Sequence, residues 1–206
     1  PVSRSIEVIL SHLLKRAKYL YKNGKTNCLG PTNLLFPFFE GDFSLSDYLK
    51  LDDGVLNSYF SLWQDSDDKI LSDLADRFLN RKPFKSVRVS EDTRYLLPTL
   101  RKLVADAGFD SEYYTATNDS FDLPYDTYSP SQNKHRTQIE LMQKDGLLVE
   151  LSQVSNLVAA ISGKVSGDER FFFPKEMKSS EQQLELFGPI YSEFQSYLKN
   201  DTLIKK

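Results

Sequence analysis

The sequence predicts an α+β protein in which an N-terminal helical segment is followed by a small, mostly antiparallel sheet with flanking helices. Three observations predict this fold class. Apolar residues recur at helical spacing through residues 1–80, short β-rich runs begin after Pro83, and Asp145-Gly146 separates two such runs like the turn of a hairpin. We therefore expect one domain over residues 1–82 and a second over residues 83–206.

The first helix is expected to begin at Ser3, a capping residue, and to end near Asn23, just before Gly24. Its apolar face follows three- and four-residue spacing and consists of Ile6, Ile9, Leu10, Leu13, Leu14, Ala17, Leu20 and Tyr21. The opposite face has one acid, Glu7, and a stripe of cations formed by Arg4, Lys15, Arg16, Lys18 and Lys22. Such a stripe faces either water or an anion.

Residues 25–43 are rich in Gly, Pro, Asn and Phe and are expected to connect the first helix to three further helices. These helices are expected from about Leu45 to Lys50, from a cap at Asp53 to about Trp63, and from a cap at Ser66 or Asp67 to about Asn80. N-capping explains the acid pairs Asp52-Asp53 and Asp67-Asp68 better than a catalytic dyad does.

The second part alternates strands and helices. The expected elements are a strand at 84–89, a helix from Ser90 to about Ala107, a strand at 112–118, the hairpin at Asp145-Gly146, a helix at 155–161, a strand at 169–174 and a closing helix from Ser180 to about Lys199.

Composition indicates a soluble globular protein, for which we expect a cytoplasmic location. The chain has 206 residues, 40% of them hydrophobic, and a net charge of -3, which argues against a dedicated duplex-DNA binder. The single cysteine, Cys28, cannot form an internal disulfide, and no apolar run is long enough to span a membrane. With only two histidines, His12 and His135, the chain also lacks CxxC, HExxH, P-loop and GxSxG motifs.

Residues 81–89, RKPFKSVRV, concentrate the cations Arg81, Lys82, Lys85 and Arg88 in an acidic chain. In an extended strand neither face of this segment would be cleanly apolar, so the strand is expected at a sheet edge or beside a ligand. Arg81 and Lys85 could meet one polyphosphate, the first as a planar fork and the second as a point charge. The alternative is a solvated edge whose charges prevent aggregation.

A second candidate region is the loop at residues 122–130, DLPYDTYSP, which contains Tyr125. Its Asp, Pro and Tyr residues are typical of a series of turns, and tyrosine hydroxyls can hold backbone or ligand groups. The loop is either a structured surface loop or a binding or interface loop.

Six segments, in this order, resemble the C-terminal half of bacterial HD-superfamily phosphohydrolases, over about residues 1–178. They are PVSRSIEVILSHLLKRAKYLYKNG, SLSDYLKLDDGVLNSYFSLWQD, KILSDLADRFLNRKPFKSV, FDLPYDTY, VELSQVSNLVAAISGK and RFFFPKEM. The family comprises dGTPase-like deoxynucleoside triphosphate (dNTP) triphosphohydrolases, related to the SAM-and-HD-domain enzyme of animals. The resemblance implies that residues 1–82 are the distal part of an HD-type helical domain.

The resemblance also implies a division of roles. In the family an H…HD…D constellation binds a divalent metal of the Mg, Mn, Fe or Ni class, which activates water for hydrolysis. This chain has no His-Asp dipeptide, because His12 precedes Leu13 and His135 precedes Arg136. We therefore expect the metal ligands upstream of Pro1, no metal or cofactor in this segment, and no hydrolysis by the segment alone.

For the segment itself the resemblance implies regulation and oligomerisation. Family members form oligomers, here expected to be a dimer or tetramer, with nucleoside triphosphate effectors of the dGTP or GTP type between subunits. An Arg-x-x-[Phe/Tyr]-Lys pattern binds the effector phosphates, which assigns that role to Arg81 and Lys85, although Pro83 is a local departure. Further nucleotide or interface contacts are expected from His12, Lys15, Arg88 and Tyr125. The alternative is a non-catalytic module that binds single-stranded nucleic acid or a protein partner.

Overall fold

A computed structural model describes residues 2–30, 34–122, 139–161, 166–178 and 187–205. The described chain divides into two compact units, one comprising Pro1–Asn118 with Arg170–Lys206 and the other Asp119–Glu169. Among the described residues, none of the helices combines the length and apolar character that crossing a bilayer requires. The predicted α+β class is confirmed, whereas the domain boundary between residues 82 and 83 stays a prediction.

The described α-helices are α1 (Val2–Lys22), α2 (Phe36–Glu40), α3 (Leu45–Leu49), α4 (Asp53–Gln64), α5 (Lys69–Leu79), α6 (Leu97–Asp106), α7 (Ser111–Tyr114), α8 (Leu151–Val154), α9 (Asn156–Ile161) and α10 (Gly188–Ser196). Short 3-10 helices cover Thr26–Leu29, Glu91–Leu96 and Lys175–Lys178. The strands are β1 (Lys85–Arg88), β2 (Ala116–Asp122), β3 (Glu140–Met142), β4 (Leu148–Glu150), β5 (Ser166–Phe173), β6 (Leu198–Lys199) and β7 (Thr202–Leu203).

The helices of the first unit pack around α1 and α5. Side chains of α1 at the predicted spacing, including Ile9, Leu13 and Leu20, are fully buried, and α5 packs against both α1 and α4. Burial of each such side chain stabilises the fold by roughly 2 kcal/mol. The side chains of Asp52 and Asp68 accept hydrogen bonds at the starts of α4 and α5, so each acid pair does supply a cap. The predicted caps, Asp53 and Ser66 or Asp67, are wrong by one or two residues.

A five-stranded sheet has the order β2-β5-β1-β7-β6. Strand β1 pairs with β5 in antiparallel orientation and with β7 in parallel orientation, so Lys85 lies opposite Phe173 and Arg88 opposite Thr202. The expectation that this strand lies at a sheet edge is wrong, because β1 is the third of the five strands. Val87 is fully buried whereas Lys85 and Arg88 are exposed, which explains how a cation-rich strand occupies the middle of the sheet.

The second unit contains the hairpin that the sequence predicts. Strands β3 and β4 pair in antiparallel orientation, and Gly146 in the turn has φ 82°, a value that glycine adopts without strain. Two short helices, α8 and α9, follow β4 where one short helix was expected.

Several predicted elements have different bounds, among them the strand expected at 169–174, which runs from Ser166 to Phe173. The strand expected at 112–118 begins only at Ala116, because Asp110 caps the helical turn α7. The helix expected from Ser90 starts as a 3-10 helix and becomes α-helical at Leu97. The closing helix was expected to reach Lys199, but it ends at Ser196, and Leu198–Lys199 forms a strand paired with β7.

Candidate functional site

A pocket of about 490 Å³ lies where α5 ends and β1 begins. It brings together the two residues that the sequence assigns to phosphate binding, Arg81 and Lys85. Its lining consists of Asp73, Asp76, Arg77, Arg81, Lys82, Pro83, Lys85, Lys175 and Glu176. The pocket therefore has five cationic and three acidic side chains, all from the first unit.

Arg81 is held by the turn that ends α5. The backbone N–H of Lys82 donates to the carbonyl of Arg77 at 2.9 Å, and the N–H of Arg81 donates to the carbonyl of Phe78 at 3.4 Å, the two bonds of a Schellman turn. Arg81 has φ 50° at the position where such turns usually have glycine. The turn therefore places an exposed arginine at the mouth of the pocket.

Lys85 and Lys175 are brought together by strand pairing. Because β1 begins opposite the last residue of β5, the segment after β5 runs alongside the segment before β1. Pro174 and Met177 are buried and fix this segment, whereas Lys175 between them is exposed. On the other side, the hydroxyl of Ser5 in α1 donates to the carbonyl of Phe84 at 3.0 Å and ties the start of β1 to the helices.

Arg77 forms the floor of the pocket and is only 6% exposed. Its guanidinium donates to Asp73 at 2.7 Å and to both carboxylate oxygens of Glu176, at 2.7 and 3.3 Å. Burial disfavours the charge of Arg77, but the hydrogen bonds to Glu176 and Asp73 outweigh it and raise its pKa. Although burial works in the opposite direction, the hydrogen bond from Arg77 holds the pKa of Glu176 below its usual value.

Two aromatic rings complete the surroundings of Arg77. The guanidinium lies 5.8 Å from the ring centroid of Phe84 and 5.7 Å from that of Tyr114, within the range of cation–π contacts. The hydroxyl of Tyr114 donates to Asp73 at 2.7 Å. Burial and the charge of Asp73 raise the pKa of Tyr114, so this hydroxyl keeps its proton.

Lys82 pairs with the third carboxylate of the pocket. Its Nζ lies 2.6 Å from Asp76, which also accepts a hydrogen bond from the Asn80 amide at 2.7 Å. The hydrogen bond from Lys82 is the main reason that the pKa of Asp76 is lowered. Within the described residues no carboxylate lies at ion-pair distance from Arg81, Lys85 or Lys175.

An adjoining pocket of about 610 Å³ shares Arg81 and Pro83 with the cationic pocket. Its remaining lining comes from the start of α1 and from α4 and α5 and consists of Val2, Ser3, Ile6, Asn57, Phe78 and Leu79. Arg81 therefore lies between a charged pocket and a mainly apolar one.

The other predicted contact residues do not line either pocket. Nδ1 of His12 lies 2.7 Å from the carbonyl of Tyr113, and Nζ of Lys15 lies 2.9 Å from Glu112, so both side chains contact α7. The exposed Arg88 ends β1, and its backbone N–H donates to the carbonyl of Asp201 at 2.8 Å. Tyr125 and its loop at 123–130 lie outside the described residues. The roles of all four residues stay predictions.

Sequence reasoning missed Arg77, Lys175 and Glu176. In the sequence Arg77 looks like any other residue of α5, because its ion pair with Glu176, which is distant in the chain, is not visible there. Lys175 and Glu176 had a weak local signal, because Pro174 ends the strand FFF and a cation follows immediately.

Across the described ranges, no three His, Cys, Asp or Glu side chains come together in an arrangement that could hold a metal ion. The described residues therefore do not supply a site for the divalent metal that the resemblance implies.

Comparison with known proteins finds a relative in sequence and solved structures of similar fold. No model of a known protein family matches the chain. The chain is 41% identical over 180 residues to the uncharacterized protein YwfO of Bacillus subtilis (strain 168), covering 86% of this chain and 41% of YwfO. A phosphohydrolase of Bacteroides thetaiotaomicron has a similar fold, with a TM-score of 0.61 and 20% identity over 85% of this chain and 45% of that chain. The chain thus spans less than half the length of each.

Proposed function

We propose that this chain is the C-terminal regulatory and oligomerisation part of a metal-dependent, cytoplasmic HD-superfamily phosphohydrolase. The whole enzyme would hydrolyse a dNTP to deoxynucleoside and triphosphate. The ordered motifs of the sequence and a fold shared with part of a phosphohydrolase support this proposal. Because the chain has no His-Asp dipeptide, the proposal assigns hydrolysis to a separate catalytic domain that supplies the metal ligands.

The role proposed for the chain is to bind the phosphates of a nucleoside triphosphate effector. One observation carries this role: Arg81, Lys85 and Lys175 line a single pocket, and among the described residues no carboxylate lies at ion-pair distance from any of them. The guanidinium of Arg81 can donate two parallel hydrogen bonds to one phosphate, and the two lysines supply point charges. Three cations around one cleft suit a chain of phosphates.

The adjoining apolar pocket suits the nucleoside of the same effector. It begins at Arg81, so a ligand with its phosphates in the charged pocket can place its base against Ile6, Phe78 and Leu79. The Asn57 amide has both a donor and an acceptor and can form hydrogen bonds with a base edge. We propose a purine triphosphate of the dGTP or GTP type as the effector, bound as the chain forms a dimer or tetramer.

The test is nucleotide binding by the purified chain, measured by calorimetry with dGTP and GTP. Each charge-assisted phosphate contact contributes about 1.5–3 kcal/mol. The double variant Arg81→Ala with Lys85→Ala should therefore lose roughly a hundredfold or more in affinity. Light scattering with and without nucleotide would report on the proposed oligomer.

A matched control variant removes one arginine and one lysine at positions outside both pockets. Arg101 and Lys102 are exposed on α6 and line neither pocket, so Arg101→Ala with Lys102→Ala should leave the affinity unchanged. Equal affinity of wild type and the Arg81/Lys85 variant would contradict the proposal. Salt-sensitive binding of a single-stranded oligonucleotide, with no binding of dGTP or GTP, would favour the non-catalytic binding module instead.

A further inference from the structure

All three carboxylates that line the cationic pocket are already engaged by neighbouring side chains. Asp73 and Glu176 share the guanidinium of Arg77, and Asp76 accepts from Lys82 at 2.6 Å. The side chains of Asp73, Asp76 and Glu176 are 37%, 33% and 42% exposed, so none of them is sealed away from the pocket. Their ion pairs, and not burial, therefore keep these carboxylates from pairing with the other cations of the pocket.

The geometry points to Arg77 and Lys82 as positioning residues of the phosphate site, a role that rests on the function proposed above. They hold the pocket's carboxylates in fixed pairs, so that Arg81, Lys85 and Lys175 stay available to an anionic ligand. Without these pairs, a carboxylate would compete with the ligand for the same cations and would repel its charge. The pairs therefore determine whether the pocket binds anions.

The two positioning residues hold their partners in different ways. Arg77 is buried between two aromatic rings and uses its planar fork to bind one carboxylate from its own helix and one from the segment after β5. Lys82 is 58% exposed, and the Schellman turn that raises Arg81 also directs Lys82 back toward Asp76. The same turn thus places Arg81 where it can contact the ligand and Lys82 where it pairs with Asp76.

This arrangement also defines the ligand class. With five cationic and three acidic side chains the pocket has a net charge of +2, which favours an anion with several charges over one with a single charge. Inorganic triphosphate should bind more tightly than inorganic phosphate at the same ionic strength. It is also the simplest probe, because it contacts the charged pocket without needing the apolar one.

The test is a rescue experiment on the exposed pair, with triphosphate affinity measured by calorimetry. Lys82→Ala leaves Asp76 without its main partner, so we expect triphosphate affinity to fall roughly fivefold to tenfold. The double variant Asp76→Asn with Lys82→Ala removes the freed charge and should bind within about twofold of wild type, as the charge balance is restored. Since Asp76 and Lys82 are both partly exposed, these variants are expected to fold.

A control pair lies away from the pocket. Lys205 and Asp92 form an exposed ion pair at 3.3 Å, and Lys205→Ala changes the net charge by the same amount as Lys82→Ala. Triphosphate affinity should be unchanged in this variant. If Lys205→Ala weakens binding as much as Lys82→Ala does, the effect is one of overall charge and the positioning role is overturned.

The remaining outcomes separate this inference from the proposed function. If the double variant is as weak as Lys82→Ala, then Lys82 contacts the phosphate directly and its positioning role is wrong, while the phosphate site stands. If Lys82→Ala binds as well as wild type, the positioning role is likewise wrong. If wild type binds neither triphosphate nor nucleotide, the proposed function and this inference fail together.

Discussion

Two cation-rich regions of this chain look similar in sequence but differ in the folded protein. On the basic face of α1, Arg16 forms an ion pair with Asp68 at 2.7 Å and Lys15 forms one with Glu112 at 2.9 Å. In the segment 81–88, Arg81 and Lys85 have no such partner among the described residues. The number of cations therefore does not identify an anion site, because the positions of the neighbouring carboxylates decide it.

Arg16 on α1 and Arg77, which lies shortly before the segment 81–88, stabilise the fold in parallel ways. Arg16 binds the N-cap residue of α5 with two hydrogen bonds, at 3.0 and 2.7 Å, and so joins α1 to α5. The hydrogen bonds to Asp68 raise the pKa of Arg16. Arg77 joins α5 to the segment after β5. The difference is that the carboxylates bound by Arg77 line a pocket that also holds unpaired cations.

The largest expected effect comes from replacing these two arginines by methionine. Both Arg77→Met and Arg16→Met leave carboxylates without their cation, and each should lower the free energy of unfolding by roughly 2–4 kcal/mol. Only Arg77→Met frees acids in the pocket, so only this variant should also weaken triphosphate binding. Urea unfolding and calorimetry measure the two effects separately.

Arg16→Met is the matched control for that experiment, because it loses a comparable ion pair at a distance from the pocket. An equal loss of triphosphate affinity in both variants would mean that general loosening of the fold weakens binding. The contrast between the two regions would then be wrong.

A smaller effect is expected at the hydrogen bond that joins the two regions. Ser5 of α1 is 1% exposed and donates to the carbonyl of Phe84. Ser5→Ala leaves this buried carbonyl without its partner, which should cost about 1–2 kcal/mol of unfolding free energy. Ser11→Ala, at an exposed position of the same helix, is the control and should change stability by less than about 0.5 kcal/mol. Equal stability of the two variants would show that the bond is dispensable.

The smallest effect is the pH dependence contributed by His12. Burial lowers the pKa of His12 below its usual value of 6.5, and the charge of Lys15 adds to this shift against the opposing effects of the Tyr113 carbonyl and Glu112. His12 therefore contributes stability in full above about pH 6.5, and this contribution decreases as the pH falls toward its lowered pKa, because the unfolded chain takes up a proton first.

Replacing His12 by glutamine should remove this component of the pH dependence. Urea unfolding at pH 7.5 and pH 5.5 should show a smaller loss of stability for His12→Gln than for wild type. Identical losses in the two proteins would contradict the role assigned to burial of this side chain, and with it the view that α1 uses its polar face for packing.

Sequence reasoning named two of the three cations proposed to bind the ligand, and their role stays a prediction. Arg81 and Lys85 were found because both lie within one short segment, and Pro83 marked the change from helix to strand. Lys175 was missed, because it reaches the pocket only through the pairing of Lys85 with Phe173, and this register is not visible in local periodicity. The ion pairs of Arg77 and Lys82 depend on side-chain positions that spacing alone does not fix.

Local periodicity also failed to predict the secondary structure at the end of the chain. The periodic apolar residues of the closing helix were predicted, but the pattern continued past Ser196 into residues that pair as strands. Asn200 and Asp201 have φ 47° and 57°, positive values that two-residue hairpin turns require and that Asn and Asp adopt more readily than most residues. Helical spacing alone therefore extended the predicted helix past its end, because it takes no account of the turn that follows.

The left-handed backbone of Arg81 makes stability and the proposed ligand recognition compete at one position. Glycine at residue 81 would relieve a strain of about 1 kcal/mol, yet it would remove the guanidinium from the pocket mouth. Selection for thermal resistance alone should therefore favour loss of this arginine, whereas selection for the proposed effector control should retain it. Glycine at this turn in a relative would then indicate selection for stability, and arginine would indicate selection for the proposed effector contact.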